Sequence, residues 1–530
     1  MKYTRKKSAD SDASQVVDSV ANCEAVSGAN YTDNYTNIDA FEKKALDFID
    51  SVDDVIKNQS FSPKERLAIP LQEMPTRNPL ERSRQMCEVA IGFTESMAIL
   101  EANRCLQCKN QPCVAACPVH VPIPQFIAKA AQGAFKEAVD IIKTTNLLPA
   151  VCGRVCPQEL QCQSVCTVGK SLKDIDKAVG IGRLERFVAD WERERNLITI
   201  PEVKPETGKK VAVVGSGPAG LTLAADVRRE GHSVTIFEAF HKMGGVMVYG
   251  IPEFRLPKAI VAKEIEMLKE MGVQFRTNYL VGRTGTLGQL LKEEGFDAAF
   301  IGSGAGLPKF LNIPGENLIG VFSANEYLTR ANLMKAYKEF AATPFYQAGH
   351  VLVVGGGNVA MDAARMALRL GAKKVSLVYR RTRDEMPARK EEVDHAEEEG
   401  VIFRFLENPT RILGDEEGCV VSIEVLSYEL GEADESGRRS PVPIEDSEHL
   451  IDCDAVIIAL GNNSNPLMAQ TTPGLDVDLR GQIIADAEGK TSLPAVWAGG
   501  DIVLGAATVI LAMGEGRKAA ASMNTYLASI

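Results

Sequence analysis

Two short apolar runs fix most of what this chain can become. Val211-Ala212-Val213-Val214 leads directly into Gly215-Ser216-Gly217-Pro218-Ala219-Gly220, and Val351-Leu352-Val353-Val354 into Gly355-Gly356-Gly357-Asn358-Val359-Ala360. A run of four apolar residues bounded by glycine is the sequence form of a strand buried on both faces. The glycines permit a tight turn and close approach of backbone N–H groups to a pyrophosphate. The following helix adds the positive end of its dipole. Strand–helix alternation continues after each unit, so the expected class is α/β with two Rossmann-like dinucleotide-binding domains.

The next strand of each unit predicts which dinucleotide it takes. In the first unit SVTIFE ends in Glu238, 23 residues after Gly215. A carboxylate there accepts hydrogen bonds from ribose hydroxyls. In the second unit KVSLVYR ends in Arg380-Arg381. A carboxylate would repel a 2′-phosphate, whereas guanidinium groups bind one bidentately, so this site is expected to hold NADPH. The first is then expected to hold FAD. Met243-Gly244-Gly245, just after Glu238, suits the chain passing the pyrophosphate and flavin ring. Near the end, Gly499-Gly500-Asp501 follows a strand and Ala507-Thr508-Val509 opens a helix. Asp501 can bond the ribityl chain, and the helix N-terminus at Thr508 can stabilise negative charge on a reduced flavin. This closing segment occurs only near the C-terminus, so the NADPH domain is expected to be inserted in the FAD domain. Asp501 as a simple helix cap and the Arg pair as a solvated turn are the plainer alternatives.

Eight of the twelve cysteines fall between Cys105 and Cys166. Cys105, Cys108, Cys113 and Cys117 are followed by Pro118; Cys152 and Cys156 are followed by Pro157, then Cys162 and Cys166. Thiolates at such spacings, with proline after a run, match ligands of 4Fe–4S clusters, and eight would serve two. Structural zinc is the weaker alternative, since its ligands come mostly in CxxC pairs. No alternating strand pattern appears around these cysteines, so an α-helical iron–sulfur domain is expected ahead of the two α/β units. Residues 1 to about 40 are polar and read as a disordered extension. A net charge of −11 argues against nucleic-acid binding. No apolar run reaches membrane length and no secretory signal is expected; reduced, metal-bound cysteines suit the cytoplasm. No Ser–His–Asp or Cys–His nucleophile is called for, and no catalytic side chain is assigned.

Together these segments look like one family. The chain resembles the small (beta) subunit of NADPH-dependent glutamate synthase and its single-chain relatives. It is also similar to the N-terminal half of dihydropyrimidine dehydrogenase and to the large subunit of NADH-dependent ferredoxin:NADP oxidoreductase. The marks are NRCLQCKNQPCVAACP, CGRVCPQELQC, VVGSGPAG, GGVMVYGIPEFRLPK, VVGGGNVAMDAAR, VYRRTRDEMPA and AGGDIVLGAATVILAMGEGRKAA. The resemblance implies crossed ligation. One cluster takes Cys105, Cys108, Cys113 and Cys166. The other takes Cys117, Cys156, Cys162 and the carboxylate of Glu185, leaving Cys152 over. Two all-cysteine clusters using Cys152 are the rival. The resemblance also implies NADPH oxidation through FAD and iron–sulfur centres. The electrons would go to an FMN-containing glutamate synthase large subunit, which makes glutamate from 2-oxoglutarate and glutamine, or to another flavoprotein acceptor. The chain is thus expected to act within an oligomer or hetero-complex. An electron-bifurcating transhydrogenase subunit and a non-turnover NADPH-binding redox sensor are the alternatives. The expected map is an extension over 1–80, the iron–sulfur domain over 81–205, the FAD domain over 206–335 and 466–530, and the NADPH domain over 336–465.

Overall fold

The first fingerprint strand, Lys210–Val214, lies at the centre of a parallel sheet. Its order is Val496–Ala498, Ala298–Ile301, Lys210–Val214, Ser233–Phe237, Gln274–Arg276. Residues 211–214 are buried, as an apolar run facing helices on both sides must be. The computed structural model describes residues 38–58, 60–433 and 439–530. The expected disorder of the first residues lies outside these.

The second fingerprint strand, His350–Val354, is the middle of another five-stranded parallel sheet. Val321–Ser323, Ala455–Ile458, His350–Val354, Lys374–Tyr379 and Ile402–Phe405 follow in that order. This unit is inserted in the first: the chain leaves through Leu307–Pro308 and returns through Asn462–Asn463, and those two segments pair antiparallel as a neck. The edge strand Val321–Ser323 comes before residue 336, so the second sheet starts upstream of the expected boundary. An antiparallel sheet of Glu407–Gly414, Val420–Ala433, Arg439–Pro443 and His449–Asp452 is appended to it. Strand–helix alternation gave no sign of this sheet.

The cysteine region is helical. Thr94 caps Glu95–Asn103 through the Met97 N–H. Ile123–Ala131 and Phe135–Lys143 are separated at Gly133, whose φ of +73° suits glycine. Ile181–Glu194 packs across Pro149–Val155. Residues 38–58 and 60–80 belong to this body instead of trailing from it. Ala45, Phe61 and Ile69 are buried in its core, and Arg66 donates to the carbonyls of Asn103 and Cys105. That core runs without a break into the first α/β unit, taking in Val211, Ala219 and Met513.

Buried ion pairs tie the inserted unit to the rest. Glu399 accepts from Arg82 (2.9 Å), Arg365 (2.8 Å) and Arg369 (2.6 Å), and its side chain is fully buried. Burial alone would raise its pKa; Arg369 and Arg365 more than offset that and hold it well below the usual carboxylate range. Phe254, from the segment after Gly244-Gly245, is buried in the core of the inserted unit beneath the guanidinium groups of Arg365 and Arg369. Removing the acid leaves Arg369 with no carboxylate partner among the described residues and takes one from each of Arg82 and Arg365, which keep Glu398 and Glu392. Glu399→Ala should therefore cost about 3–5 kcal/mol. Thermal unfolding of the variant beside the parent checks this, and an unchanged midpoint would show that the network is not structural.

Candidate functional site

At the first loop three glycines have three separate reasons. Gly215 has φ of +98°, and a Cβ there would sit 2.5 Å from the Gly302 carbonyl oxygen. A Cβ on Gly220 would meet the Gly215 oxygen at 2.1 Å, so that glycine sets how closely the helix Pro218–Arg229 packs on the loop. A Cβ on Gly217 would meet nothing within 4 Å. That open face is where a pyrophosphate has room to approach the helix N-terminus.

Glu238 is buried at the end of its strand. Its Oε2 accepts from the Ser216 N–H (3.1 Å) and from the Ser216 hydroxyl, and its Oε1 from the Phe240 N–H (2.9 Å). The Ser216 hydroxyl also accepts from the Gly244 N–H (2.9 Å). One serine thus ties the strand end, the glycine loop and the Gly244-Gly245 turn together. Gly245, with φ of +53°, presses on Gly217: a Cβ would lie 2.8 Å from its Cα. Gly500, with φ of +78°, brings the closing segment onto Ala219. Burial raises the Asp501 carboxyl to about 6, and its Oδ1 accepts from the Ala507 N–H (3.3 Å). Thr508 caps Val509–Ser529 through the Leu511 N–H. Burial, with Asp501 and Glu238 nearby, raises the Tyr249 hydroxyl to about 12. Ser216 and Tyr249 were not singled out in the sequence, because neither breaks the glycine pattern.

The second loop repeats the scheme. A Cβ on Gly355 would meet the Ala459 oxygen at 2.4 Å, one on Gly356 the Tyr379 ring at 2.5 Å, and one on Gly357 nothing. Ala360 is buried and Val359 exposed. Asn358 accepts the Arg389 N–H (2.9 Å). Arg380 is exposed just beyond the strand Lys374–Tyr379, while Arg381 donates to the Arg439 carbonyl (2.9 Å).

The cysteines form two neighbouring groups. Cys105, Cys108, Cys113 and Cys166 lie within electrostatic reach of one another. Cys117, Cys156, Cys162 and Glu185 line one cavity together with Cys152. Cys113 is close enough to Cys162 to influence it, so the groups are adjacent. Burial raises the Cys105 thiol to about 12 and those of Cys113 and Cys117 to about 11. Thiolates in such surroundings need a cationic centre. Cys117, Cys152, Cys156, Cys162 and Glu185 surround a common space, a set of thiols with one carboxylate that fits an iron–sulfur cluster. N–H groups of Val119 and Val121 reach the Cys117 sulfur, and that of Gln107 reaches Cys105.

Glu185 sits on the buried face of Ile181–Glu194 and looks into the cavity. Burial lifts its carboxyl to about 8 against the opposing hydrogen bond from Asn146. Asn146 donates to its Oε1 (2.7 Å), the only hydrogen bond Glu185 makes among the described side chains. The same amide faces Cys152, whose Sγ is 3.8 Å from its Oδ1 and 3.5 Å from Met513 Sδ. Cys152 thus shares the cavity wall with Cys117, Cys156, Cys162 and Glu185. Asn146 carries no motif and was missed.

Residues 82–197 match the family described as dihydropyrimidine dehydrogenase domain II, 4Fe-4S cluster. Residues 209–516 match the pyridine nucleotide-disulphide oxidoreductase family. The chain is 37% identical to the glutamate synthase [NADPH] small chain of Escherichia coli, over 86% of this chain and 96% of that one. It belongs to the glutamate synthase small-chain family. This chain pairs an iron–sulfur family match with a pyridine-nucleotide oxidoreductase match, and it is an oxidoreductase. It is 40% identical to the NADP(+)-dependent formate dehydrogenase subunit beta of Moorella thermoacetica, over 78% of this chain and 60% of that one. Mycobacterium tuberculosis FprA in complex with NADPH shares the fold, with a TM-score of 0.51 and 21% identity over 62% of this chain and 85% of that one.

The open glycines give a clean test. Gly217→Ala should leave the melting temperature of the flavin-free protein unchanged and abolish flavin retention, because the new methyl meets cofactor and not protein. Gly220→Ala should lower the melting temperature as well. Full flavin content in Gly217→Ala, read from the visible spectrum, would show that the cradle lies elsewhere.

Proposed function

We propose that this chain is the NADPH-oxidising, electron-delivering subunit of a glutamate synthase-type enzyme. The observation that carries the reading is the placement of the inner cavity. Cys117, Cys156, Cys162 and Glu185 share it with Ile510, which stands two residues after the Thr508 cap at the proposed flavin site. The outer thiol group lies beyond it, with Cys105, Cys108 and Cys113 partly exposed. Flavin site, inner cavity, outer group and surface thus follow in order.

FAD would be held by Gly215, Gly217, Pro218, Ala219, Gly220, Glu238, Gly244, Gly245, Gly500, Asp501 and Thr508. NADPH would be held by Gly355, Gly356, Gly357, Asn358, Val359, Ala360, Arg380 and Arg381. Cys105, Cys108, Cys113 and Cys166 would hold one 4Fe–4S cluster, and Cys117, Cys156, Cys162 and Glu185 the other. When bound, the flavin accepts a hydride from the nicotinamide and the clusters carry single electrons. The protein's part is to orient and to tune. Ser216 fixes Glu238 for the ribose, Asn146 aims Glu185, and the N–H groups of Val119 and Val121 lower the charge density on Cys117. Among the described residues no helix is long and apolar enough to cross a membrane. We place the chain in the cytoplasm, with an FMN-containing large subunit taking its electrons and making glutamate from 2-oxoglutarate and glutamine. The likeness to a formate dehydrogenase beta subunit supports a second reading, in which the same module exchanges electrons between NADP and a different partner. Identifying the co-purifying subunit, and assaying glutamine-dependent glutamate formation with it, separates the two.

Glu185→Ala should alter one iron–sulfur centre and leave the other, while Cys152→Ser should keep the full iron content. Iron analysis and low-temperature EPR on both variants decide it. Unshifted centres in Glu185→Ala with iron lost in Cys152→Ser would establish eight cysteine ligands instead.

Arg380→Ala combined with Arg381→Ala should weaken NADPH binding at least tenfold more than NADH binding. Charge-assisted bonds of about 1.5–3 kcal/mol each are removed from the 2′-phosphate alone. Equal losses for the two nucleotides would show that this pair does not read the phosphate.

A further inference from the structure

One arginine spans the gap between the second dinucleotide loop and the inner thiol cavity. Its main chain belongs to the nucleotide unit. The Arg389 N–H donates to Asn358 Oδ1 (2.9 Å), and the preceding Ala388 N–H to the Gly356 carbonyl (3.2 Å). Its guanidinium belongs to the other side. Nη1 donates to the Arg154 carbonyl (3.2 Å), Nη2 to Gln158 Oε1 (3.2 Å) and Nε to Glu159 Oε1 (3.1 Å). Those three acceptors flank Cys156 in the chain. Gln158 then reaches the cavity itself: it lines the same wall as Cys156 and Glu185, and its Nε2 donates to the Cys152 carbonyl (3.3 Å). Gly182 makes room for it, since a Cβ there would lie 2.1 Å from that nitrogen.

The bridge is buried and specific. The Arg389 side chain is 10% exposed, with Glu391 as a further partner (3.1 Å). A planar fork that satisfies a carbonyl, an amide and two carboxylates fixes the loop's position and sets a cation beside Cys156. The guanidinium grips residues on both sides of Cys156, at Arg154, Gln158 and Glu159, which keeps its charge at that turn. A reduction potential responds to local charge and hydrogen bonding. A pyrophosphate on the head of the helix Asn358–Arg369 would bring negative charge beside Asn358, the residue that holds the Arg389 backbone.

We infer that Arg389 is a positioning residue that couples nucleotide occupancy at the second loop to the reduction potential of the centre at Cys117, Cys156, Cys162 and Glu185. The inference rests on the cofactor reading above. By linkage it works both ways: the redox state of that centre must change the affinity for NADP+ by the factor that NADP+ imposes on the centre.

The test is a potentiometric EPR titration of the full-length holoenzyme, with and without saturating NADP+. The centre in question is the one whose signal Glu185→Ala alters. In the parent, NADP+ should shift the midpoint of this centre and leave the other in place. Arg389→Gln should lower its midpoint without nucleotide, since a cation is lost, and cut the NADP+-induced shift to less than half. Arg389→Lys keeps the charge but not the fork, so it should retain the resting midpoint and lose the shift. A parent titration indifferent to NADP+ overturns the coupling without any variant. So does a full shift in Arg389→Lys, which also covers the case where Arg389→Gln loses iron. A parent preparation with no 4Fe–4S signal would instead sink the cofactor reading, which keeps the two failures distinct.

Discussion

The whole arrangement depends on how closely one helix can approach two neighbours. Val509–Ser529 begins at the proposed flavin site and packs between the first dinucleotide helix and the cysteine domain. Two glycines permit this. A Cβ on Gly516 would lie 2.4 Å from the Ala219 oxygen, and one on Gly514 would lie 3.0 Å from the Pro118 oxygen. Two residues apart on a helix, they face nearly opposite ways. Gly516 sets the distance to the dinucleotide fold, and Gly514 the distance to the residue after Cys117. Met513, the residue just before Gly514, touches Cys152. Because one continuous core includes all three elements, the inner cavity is held against the flavin helix by packing. A tether would leave that distance free, and electron exchange between sites needs it fixed.

Charge holds the nucleotide unit by a different means. Arg255, from the Phe254 segment, pairs with Asp362 (2.8 Å) and Glu392 (3.0 Å). Arg82 reaches Glu398 and Glu399 from the start of the cysteine domain. Apolar contact alone would let one surface slide over another, whereas buried forks allow a single register. Such pairs return little net stability after desolvation. Their value here is orientation: they fix how the inserted unit sits on the segments that carry Arg82 and Arg255, which the narrow neck at Leu307–Pro308 and Asn462–Asn463 would not do.

What could be read from the sequence follows how local each signal was. The two fingerprints were legible because strand, glycine turn and helix are consecutive, and each glycine answers to an atom a few residues away. The insertion was legible from the late position of Gly500-Asp501. The start of the second sheet was not, since Val321–Ser323 is three residues long and pairs with Ala455–Ile458, more than a hundred residues on. The stretch up to residue 80 was set apart as an extension because its contacts, such as Arg66 with the Cys105 carbonyl, are with residues that composition cannot name. Asn146 and Arg389 were invisible for the same reason. An asparagine aimed at Glu185 and an arginine bound to Gln158 carry no periodicity, only position.

The two thiol groups differ in a way that bears on which one should face a partner. Cys117, Cys156 and Cys162 are buried, and their cavity is completed by Ile510, Phe126 and Ile181. Cys105, Cys108 and Cys113 are partly exposed, on loops where Gln107 and Gln111 take positive φ. Those left-handed residues curl the chain back on itself, which lets Cys105, Cys108 and Cys113 face one another from a short segment. Solvent exposure and N–H contacts both stabilise the more negative state of a cluster. A sealed inner site must obtain that stabilisation from fixed groups, and Asn146, the Val119 and Val121 N–H groups and the Arg389 cation are placed to supply it. The outer site can draw on water, and on whatever surface docks there. On the proposed ligand assignment, the protein-tuned site would stand next to the helix Val509–Ser529 and the more exposed one at the surface, where a partner could tune it.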